Sequence, residues 1–201
     1  SPRFVIFDGS DQIDTIKQAL KKLDLSPKDY NPAAVLNTIS QAKNELISPL
    51  EYPQYVRGSF QQAVSKVYLV YQKLLKEQNG LDFDDLLFEA VKLFQKFPEV
   101  LEKYQNQSRY LLVDEWQDTN KAQYVLIKLL AKKYRQLTVV GDFAQAIYSW
   151  RGADYRNLQY LKEDFLDLKI INLEQNYRST QKILDAAYGV IKQNQSHPIL
   201  K

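Results

Sequence analysis

Three short apolar segments, each followed directly by a cluster of polar residues, most constrain the fold of this chain. The segments are Tyr110–Val113, residues 137–140 and residues 170–173, and a helical pattern separates the first two. A short apolar run bounded in this way is typical of a strand that is buried on both faces of a parallel sheet. Strand, helix and strand in succession therefore predict an α/β fold.

The first 80 residues carry a helical pattern instead. We expect one helix with Ser10 as its N-cap, a second that begins at Asn31 and Pro32, and a third over residues 59–78, because apolar residues recur there at spacings of three and four. The first 80 residues are therefore predicted to form a packed helical module, and nothing within it suggests chemistry. Further helices are expected after Asp82, from a cap at Thr119 through Tyr134, and from a cap at Ser179 and Thr180 through about Lys192.

The composition narrows the chemistry that the chain can perform. Its 201 residues include no cysteine and a single histidine, His197, which excludes disulfide scaffolds, thiolate zinc sites and most histidine-based catalysis. A net charge of +3 permits a nucleic-acid partner without requiring one. No apolar run approaches the ~18 residues of a membrane span. We expect a soluble, cytoplasmic protein.

The polar clusters indicate where a ligand would bind, because open α/β sheets bind ligands beyond the carboxyl ends of their strands. Asp114 and Glu115 directly follow the first strand. In such an arrangement the first carboxylate binds Mg²⁺ through water and the second polarises the attacking water. One acidic strand end could simply cap the next helix, but three clusters at successive strand ends favour a shared site. The clusters occupy residues 114–118, 141–145 and 175–178.

A metal-dependent nuclease that uses Asp114, Glu115 and Asp118 is the competing chemical hypothesis. The other two clusters offer glutamine, tyrosine and arginine, which suit phosphate sensing and base stacking better than metal binding. We therefore favour a nucleotide site over a nuclease site.

An aromatic segment follows the second cluster. Tyr148 and Trp150 alternate, so in an extended segment both side chains would point the same way, with Arg151 beside them. Aromatic faces next to a guanidinium can stack on unpaired bases. The alternative is an aromatic pair in the core, but the polar neighbours of these residues favour a nucleic-acid contact.

The same clusters resemble motifs of the superfamily 1A DNA helicases, the UvrD, Rep and PcrA group. The departures, such as Trp116 in place of the usual tyrosine, remove no residue to which chemistry is assigned. The resemblance covers nearly the whole chain and implies a partial RecA-like (P-loop NTPase) parallel sheet with an inserted all-helical subdomain. The matching segments are 114–120 for motif II, 141–153 for motif III, 173–180 for motif IV, and two others at 42–46 and 81–86.

The resemblance implies a Mg-ATP site, residue by residue. Asp114 would hold Mg²⁺, and Glu115 would activate water. Gln145 would sense the γ-phosphate and connect it to the DNA site. Tyr177 would stack on adenine, and Arg178 would contact the γ-phosphate as an arginine finger.

It also implies a DNA site and a domain organisation. Tyr148, Trp150 and Arg151 would contact single-stranded DNA. The expected partners are single-stranded DNA and its junctions with duplex DNA, with no membrane, and the fragment is expected to be a monomer. Residues 1–80 would form the helical insertion (1B), 81–167 the later part of the first RecA-like domain (1A), and 168–201 the start of the second (2A).

One part of such an enzyme is missing from the sequence. None of the six glycines is followed by lysine, so the phosphate-binding pattern GxxxxGK[ST] does not occur. We therefore expect an internal fragment, inactive alone, of a helicase that hydrolyses ATP, moves 3′ to 5′ along DNA and unwinds duplexes. The alternative is a self-standing, non-catalytic DNA-binding or adaptor module derived from a helicase.

Overall fold

The computed structural model describes residues 3–148, 152–154 and 156–193. The chain forms two compact units, Ser1–Leu111 with Asn120–Leu137, and Leu112–Thr119 with Thr138–Lys201. Trp150 and Arg151 of the predicted DNA site lie outside the described residues. Within the described ranges, no helix combines the length and the apolar character that crossing a membrane requires.

The first unit consists mainly of helices. Its elements in chain order are β1 (Val5–Phe7), α1 (Gly9–Lys22), α2 (Pro32–Asn44), a short 3₁₀ helix (Tyr52–Tyr55), α3 (Ser59–Glu77), β2 (Gly80–Asp82), α4 (Phe83–Lys96), α5 (Pro98–Gln107) and α6 (Lys121–Ala131). The strands β1 and β2 pair in parallel, with Val5 opposite Gly80 and Phe7 opposite Asp82. This small sheet brings the start of the helical module next to its end.

Helices α1, α2 and α3 enclose the apolar core of this unit. The apolar side chains that recur every three or four positions along α3 are buried: Val64, Val67, Tyr71 and Leu74, with Phe60 partly buried beside them. A helix contributes one continuous stripe of this kind when its apolar residues recur every three or four positions. The three helices predicted within the first 80 residues are therefore confirmed.

Polar side chains fix the starts of these helices. Asn31 and Asp82 cap α2 and α4 as predicted. The predicted cap of α1 is wrong: Asp8, and not Ser10, is the N-cap. The Asp8 carboxylate accepts the backbone N–H groups of Ser10 and Asp11. In turn, the backbone N–H of Asp8 donates to the side chain of Asp11. Reciprocal capping of this kind satisfies donors at both positions.

Helix α6 begins one residue later than predicted. Thr119 is not its cap, because the Thr119 hydroxyl donates to the carbonyl oxygen of Trp116 at 2.7 Å. Asn120 is the N-cap instead, and its side chain accepts the backbone N–H of Gln123. The helix ends at Ala131, three residues before the predicted end at Tyr134.

The strands β3 (Tyr110–Val113) and β4 (Gln136–Val139) form a second two-stranded sheet. The N–H of Val140 donates to the carbonyl of Val113 at 2.8 Å, and the carbonyl of Val140 accepts the N–H of Trp116 at 2.9 Å. Because the residues that follow both strands are bonded to each other, the two strands run parallel. The first two predicted strands are thus confirmed as parallel neighbours.

Neither strand is buried on both faces, contrary to the prediction. Exposed and partly buried side chains alternate along β3 and β4, and Leu112 is 79% exposed. Alternation of this kind arises when only one face of a sheet is covered.

The third predicted strand, residues 170–173, has no regular secondary structure, and Ile171 is 80% exposed. A strand needs a neighbour to take its backbone hydrogen bonds, and within the described ranges no strand pairs with this segment. The chain is therefore an α/β protein, mostly helical, with small parallel sheets. A RecA-like sheet stays a prediction.

The second unit contains two α-helices among its described residues, α7 (Arg156–Asp164) and α8 (Gln181–Ile191). Thr180 is the N-cap residue of α8, in agreement with the predicted last helix. In α7, the Nδ2 of Asn157 donates to the carbonyl and hydroxyl oxygens of Thr119 at 2.8 and 3.0 Å. This contact fixes α7 to the segment that follows β3.

Candidate functional site

Two consecutive carboxylates follow β3 at an abrupt turn of the backbone. Glu115 adopts a left-handed conformation, with φ 50° and ψ 45°. That conformation is uncommon for residues other than glycine, and strain of this kind is concentrated at functional sites. Asp114 accepts the N–H of Glu115 on Oδ1 at 2.8 Å, and both residues are exposed. The turn therefore ends the strand and leaves two neighbouring carboxylates accessible to a ligand.

Gln117 connects this turn to the end of β4. Its side chain is buried, with only 2% of the residue exposed. The Nε2 of Gln117 donates to Oε2 of Glu115 at 2.7 Å, and its Oε1 accepts the N–H of Asp142 at 3.0 Å. One amide group thus holds a carboxylate from the first polar cluster and a backbone N–H from the second.

Gly141 leaves the space that this contact needs. A Cβ atom at position 141 would lie 2.7 Å from Oε1 of Gln117 and 3.2 Å from Cβ of Trp116. Both distances are shorter than ordinary van der Waals contacts. Glycine is required here because the backbone after β4 passes directly against the residues that follow β3.

Asp142 extends the connection to the predicted phosphate sensor. Its Oδ1 accepts the N–H of Ala144, and its Oδ2 accepts Nε2 of Gln145, both at 2.9 Å. Gln145 is exposed at the end of a short 3₁₀ helix, Phe143–Gln145. The structure therefore links Glu115 to Gln145 through two residues whose roles sequence reasoning missed, Gln117 and Asp142.

The carboxylates suit a magnesium ion that binds together with a phosphate. Oδ2 of Asp114 accepts no hydrogen bond from the described residues. Nowhere in the described ranges do three or more histidine, cysteine or acidic side chains gather in a way that could hold a metal. Mg²⁺ commonly binds through one or two carboxylates, with water and substrate phosphates as its other ligands. Asp114 fits that donor set.

Three other predicted site residues, Tyr148, Tyr177 and Arg178, belong to the described part of the chain. Tyr148 is partly exposed, and Tyr177 is 92% exposed. The backbone N–H of Arg178 donates to Oδ1 of Asn176 at 2.9 Å. In the described part of the chain, no hydrogen bond or ion pair joins the side chain of Tyr177 or Arg178 to the strand-end carboxylates or to Gln145. Their roles stay predictions.

The first unit contains a second polar cluster, which sequence reasoning also missed. Lys43 Nζ lies 2.6 Å from Oδ2 of Asp82 and 2.8 Å from Oδ1 of Asp85, and each of the three side chains is 1% exposed. The hydroxyl of Tyr71 donates to Asp82 at 2.9 Å, and Nε2 of Gln72 donates to both carboxylate oxygens of Asp85 at 3.1 Å. We call these five residues the Lys43 cluster.

Burial governs the electrostatics of this cluster. It raises the pKa of Asp85 above its ordinary value, and the nearby Lys43 ammonium opposes that rise. A ligand has no access to side chains that are buried this completely. The Lys43 cluster therefore joins α2 to the start of α4 and does not form a binding site.

Comparison with known proteins places the chain in a family. Residues 1–166 match the model of the UvrD/REP helicase N-terminal domain. The chain is 51% identical over 191 residues to the ATP-dependent DNA helicase PcrA of Bacillus subtilis (strain 168), which is 95% of this chain and 26% of that protein. It is 48% identical over the same length to the helicases PcrA of Staphylococcus epidermidis (strain ATCC 12228 / FDA PCI 1200) and Staphylococcus aureus (strain COL).

The chain spans about a quarter of the length of these curated relatives. The family match covers most of its residues, including the two strand ends that Gln117 connects. The resemblance that the polar clusters predicted is confirmed, and the chain belongs to the UvrD/Rep helicase family.

Proposed function

We propose that this chain is part of an ATP-dependent DNA helicase and that it supplies the residues that activate water and sense the γ-phosphate. The observation that carries the proposal is the hydrogen-bonded series from Glu115 through Gln117 and Asp142 to Gln145. It connects a candidate general base to a candidate phosphate sensor at the carboxyl ends of two parallel strands. The names of the relatives, ATP-dependent DNA helicases, support the same activity.

In this proposal, Asp114 and Glu115 divide the chemistry of hydrolysis. Asp114 holds Mg²⁺ with its unoccupied oxygen. When bound, Mg²⁺ neutralises charge that develops on the phosphate oxygens. Glu115 accepts the proton of the attacking water, for which its exposed carboxylate is available. Gln145 contacts the γ-phosphate with its exposed amide.

Tyr177 and Arg178 complete the nucleotide site from the segment 168–201, which we propose to be the start of the second RecA-like domain. Tyr177 would stack on adenine and Arg178 would contact the γ-phosphate. The nearly complete exposure of Tyr177 supports this role, because a stacking residue must be open to its ligand. Residues 1–80 and 81–167 would then be the helical insertion and the later part of the first RecA-like domain.

Hydrolysis is proposed to drive 3′ to 5′ movement along single-stranded DNA and unwinding at a junction with duplex DNA. Gln145 and Tyr148 are three residues apart, so a shift of the phosphate sensor acts directly on the proposed DNA contacts.

Trp150→Ala should weaken single-strand binding about 5- to 150-fold, the loss of one stacked base. Trp150→Phe, which keeps an aromatic face, should restore most of it. If both variants bind single-stranded DNA as tightly as the parent, Trp150 does not stack on a base, and packing is the better explanation of its role.

We also propose that the 201 residues alone do not hydrolyse ATP, since they contain no phosphate-binding loop. The test compares the purified 201-residue chain with the full-length protein that contains it, each with Mg-ATP and single-stranded DNA. Turnover by the full-length protein only is the expected result. Clear ATPase activity of the pure 201-residue chain would contradict the proposal, and a full-length protein without activity would favour an adaptor.

Glu115→Gln in the full-length protein tests the general base. ATP binding should be kept while turnover falls by about 10²- to 10⁴-fold, the usual contribution of a general base. Glu99→Gln changes an exposed carboxylate on α5 in the same way and serves as the matched control. If Glu115→Gln hydrolyses ATP at an unchanged rate, Glu115 is not the general base.

A further inference from the structure

We propose that Gln117 is a positioning residue for ATP hydrolysis, which orients the Glu115 carboxylate according to the position of residues 141–145. The proposal rests on the proposed ATPase function. It assigns a task to a buried glutamine that itself touches neither nucleotide nor DNA.

The orientation of the Gln117 amide follows from its two partners. A carboxylate can only accept hydrogen bonds, and a backbone N–H can only donate. The Nε2 of Gln117 must therefore face Glu115, and its Oε1 must face the N–H of Asp142, as the structure has them. A flipped amide would place oxygen against oxygen and N–H against N–H. Both bonds form in one orientation of the side chain and are lost together in the other.

The surroundings leave this amide little freedom. Gln117 lies within a short 3₁₀ helix, Trp116–Asp118, and is 2% exposed. The N–H of Asp118 donates to the carbonyl of Glu115 at 2.9 Å. This bond closes the turn from Glu115 to Asp118, in which Gln117 lies. On the other side, the backbone of Gly141 approaches so closely that a Cβ atom would lie 2.7 Å from Oε1 of Gln117.

The bond from Gln117 restrains one oxygen of Glu115 and leaves the other for water. Oε2 of Glu115 accepts Nε2 of Gln117, and Oε1 accepts no hydrogen bond from the described residues. A single bonded oxygen leaves a carboxylate fewer orientations than an exposed side chain would otherwise have. Gln117 therefore holds the Glu115 carboxylate in one orientation, and a general base must be held in position in this way.

The second bond makes this restraint depend on the sensor segment. Asp142 binds Gln117 through its backbone N–H and Gln145 through its carboxylate. When Gln145 contacts a γ-phosphate, any displacement of Asp142 moves the partner of the Gln117 amide. Gln117 thus transmits the state of the phosphate sensor to the base.

The substitution Gln117→Glu separates the two bonds, and it is tested in the full-length protein. The introduced side chain has the same shape and can still accept the N–H of Asp142. Its other oxygen faces the carboxylate of Glu115, where two negative charges repel and no hydrogen bond forms. In single-turnover hydrolysis, the rate should fall about 100-fold, the cost of a misplaced catalytic group, while the concentration of ATP needed for half-saturation changes less than about twofold. A purely structural role for Gln117 would lower thermal stability without lowering the rate selectively in this way.

Gln117→Leu removes both bonds at similar volume. The single-turnover rate should fall about 100-fold, the cost of a misplaced catalytic group, while the concentration of ATP needed for half-saturation changes less than about twofold. The matched control is Gln105→Leu, because Gln105 is also buried and bonds the carbonyl of Leu129 at 2.7 Å. It should lower thermal stability and leave the single-turnover rate unchanged. Far-UV circular dichroism checks that each variant folds, and Gln117→Glu alone decides the question if Gln117→Leu does not fold.

The outcomes separate this proposal from the proposed function. If the unsubstituted full-length protein has no ATPase activity, or keeps full activity with Glu115→Gln, the proposed function fails and this proposal fails with it. If the protein hydrolyses ATP and Glu115→Gln abolishes turnover, the proposed function stands. In that case, a Gln117→Glu variant that loses less than about threefold of the single-turnover rate overturns the positioning role, and so does the same result with Gln117→Leu.

Discussion

Replacing Lys43 with methionine should destabilise the first unit by about 3 kcal/mol at neutral pH. Methionine has a similar length and keeps the apolar packing of the lysine stem. The substitution removes the ammonium group that lies within 2.8 Å of both Asp82 and Asp85. Two carboxylates in the interior then lose this counter-charge.

The hydrogen bonds that remain set the size of this effect. Removing one partner of a buried ion pair costs about 3–5 kcal/mol. Asp82 would keep the hydroxyl of Tyr71 at 2.9 Å, and Asp85 would keep the amide of Gln72 at 3.1 Å. These donors stabilise the unpaired charges, so the lower end of the range is expected.

The effect should shrink as the pH falls. Burial already raises the pKa of Asp85, and Lys43 is the main influence that lowers it. Without Lys43 the folded-state pKa of Asp85 rises further above its unfolded value of about 3.9. The folded state then binds a proton more tightly than the unfolded state, so stability is lost as pH rises through that window. The difference between parent and variant should be largest near pH 7 and smaller near pH 4.5.

Urea unfolding of the 201-residue chain, followed by circular dichroism at 222 nm, measures this effect. This signal reports mainly on the first unit, because most of the described helices lie there. The control is Lys121→Met, which breaks an exposed ion pair with Glu45 at 3.4 Å and should cost less than about 1 kcal/mol. A Lys43→Met loss below about 1 kcal/mol, or a loss that is the same at both pH values, would refute the reasoning.

Two further predictions concern the second unit. Gly141→Ala should lower the free energy of unfolding by about 1–3 kcal/mol, because its Cβ atom overpacks against Gln117. Gly189→Ala should instead raise the free energy of unfolding by about 0.5–1 kcal/mol. Gly189 lies in α8, and nothing lies within 4 Å of the Cβ atom added there. Urea unfolding followed by tryptophan fluorescence compares them, and equal effects of the two substitutions would contradict the packing argument. Asn157→Ala should cost about 1–3 kcal/mol, because the buried Asn157 amide donates twice to Thr119; an unchanged urea midpoint in the same assay would show that the amide contributes nothing.

Helix starts could be predicted from the sequence where the cap is a local matter. Asn31 precedes a proline and Asp82 precedes a clear apolar stripe, so each position has one plausible cap. Asp8 and Ser10 lie two residues apart and either can accept an N–H, so the choice depends on the path of the incoming chain. The pairing of Val5–Phe7 with β2 fixes that path, and it joins residues more than 70 positions apart.

The candidate site could be predicted only in part, for the same reason. Asp114 and Glu115 stand next to each other in the sequence, and their chemistry follows from their type and position. The task of Gln117 depends on the backbone of Asp142, which lies 25 residues later. Only the parallel pairing of β3 with β4 brings the two together, and no local pattern specifies which residues of two strand ends meet.

The segment 42–46 resembled the family without offering any chemistry, and its contacts supply a reason. It lies at the end of α2, where Lys43 binds Asp82 at the start of α4 and Asn44 accepts Nδ2 of Asn120 at the start of α6, 39 and 76 residues later. Asp82 and Asn120 are also the N-caps of those two helices, so one short segment fixes both helix starts. Any substitution in it must suit both at once. Such a constraint limits a sequence as strongly as contact with a ligand does, which explains how a segment without a ligand can carry a family motif.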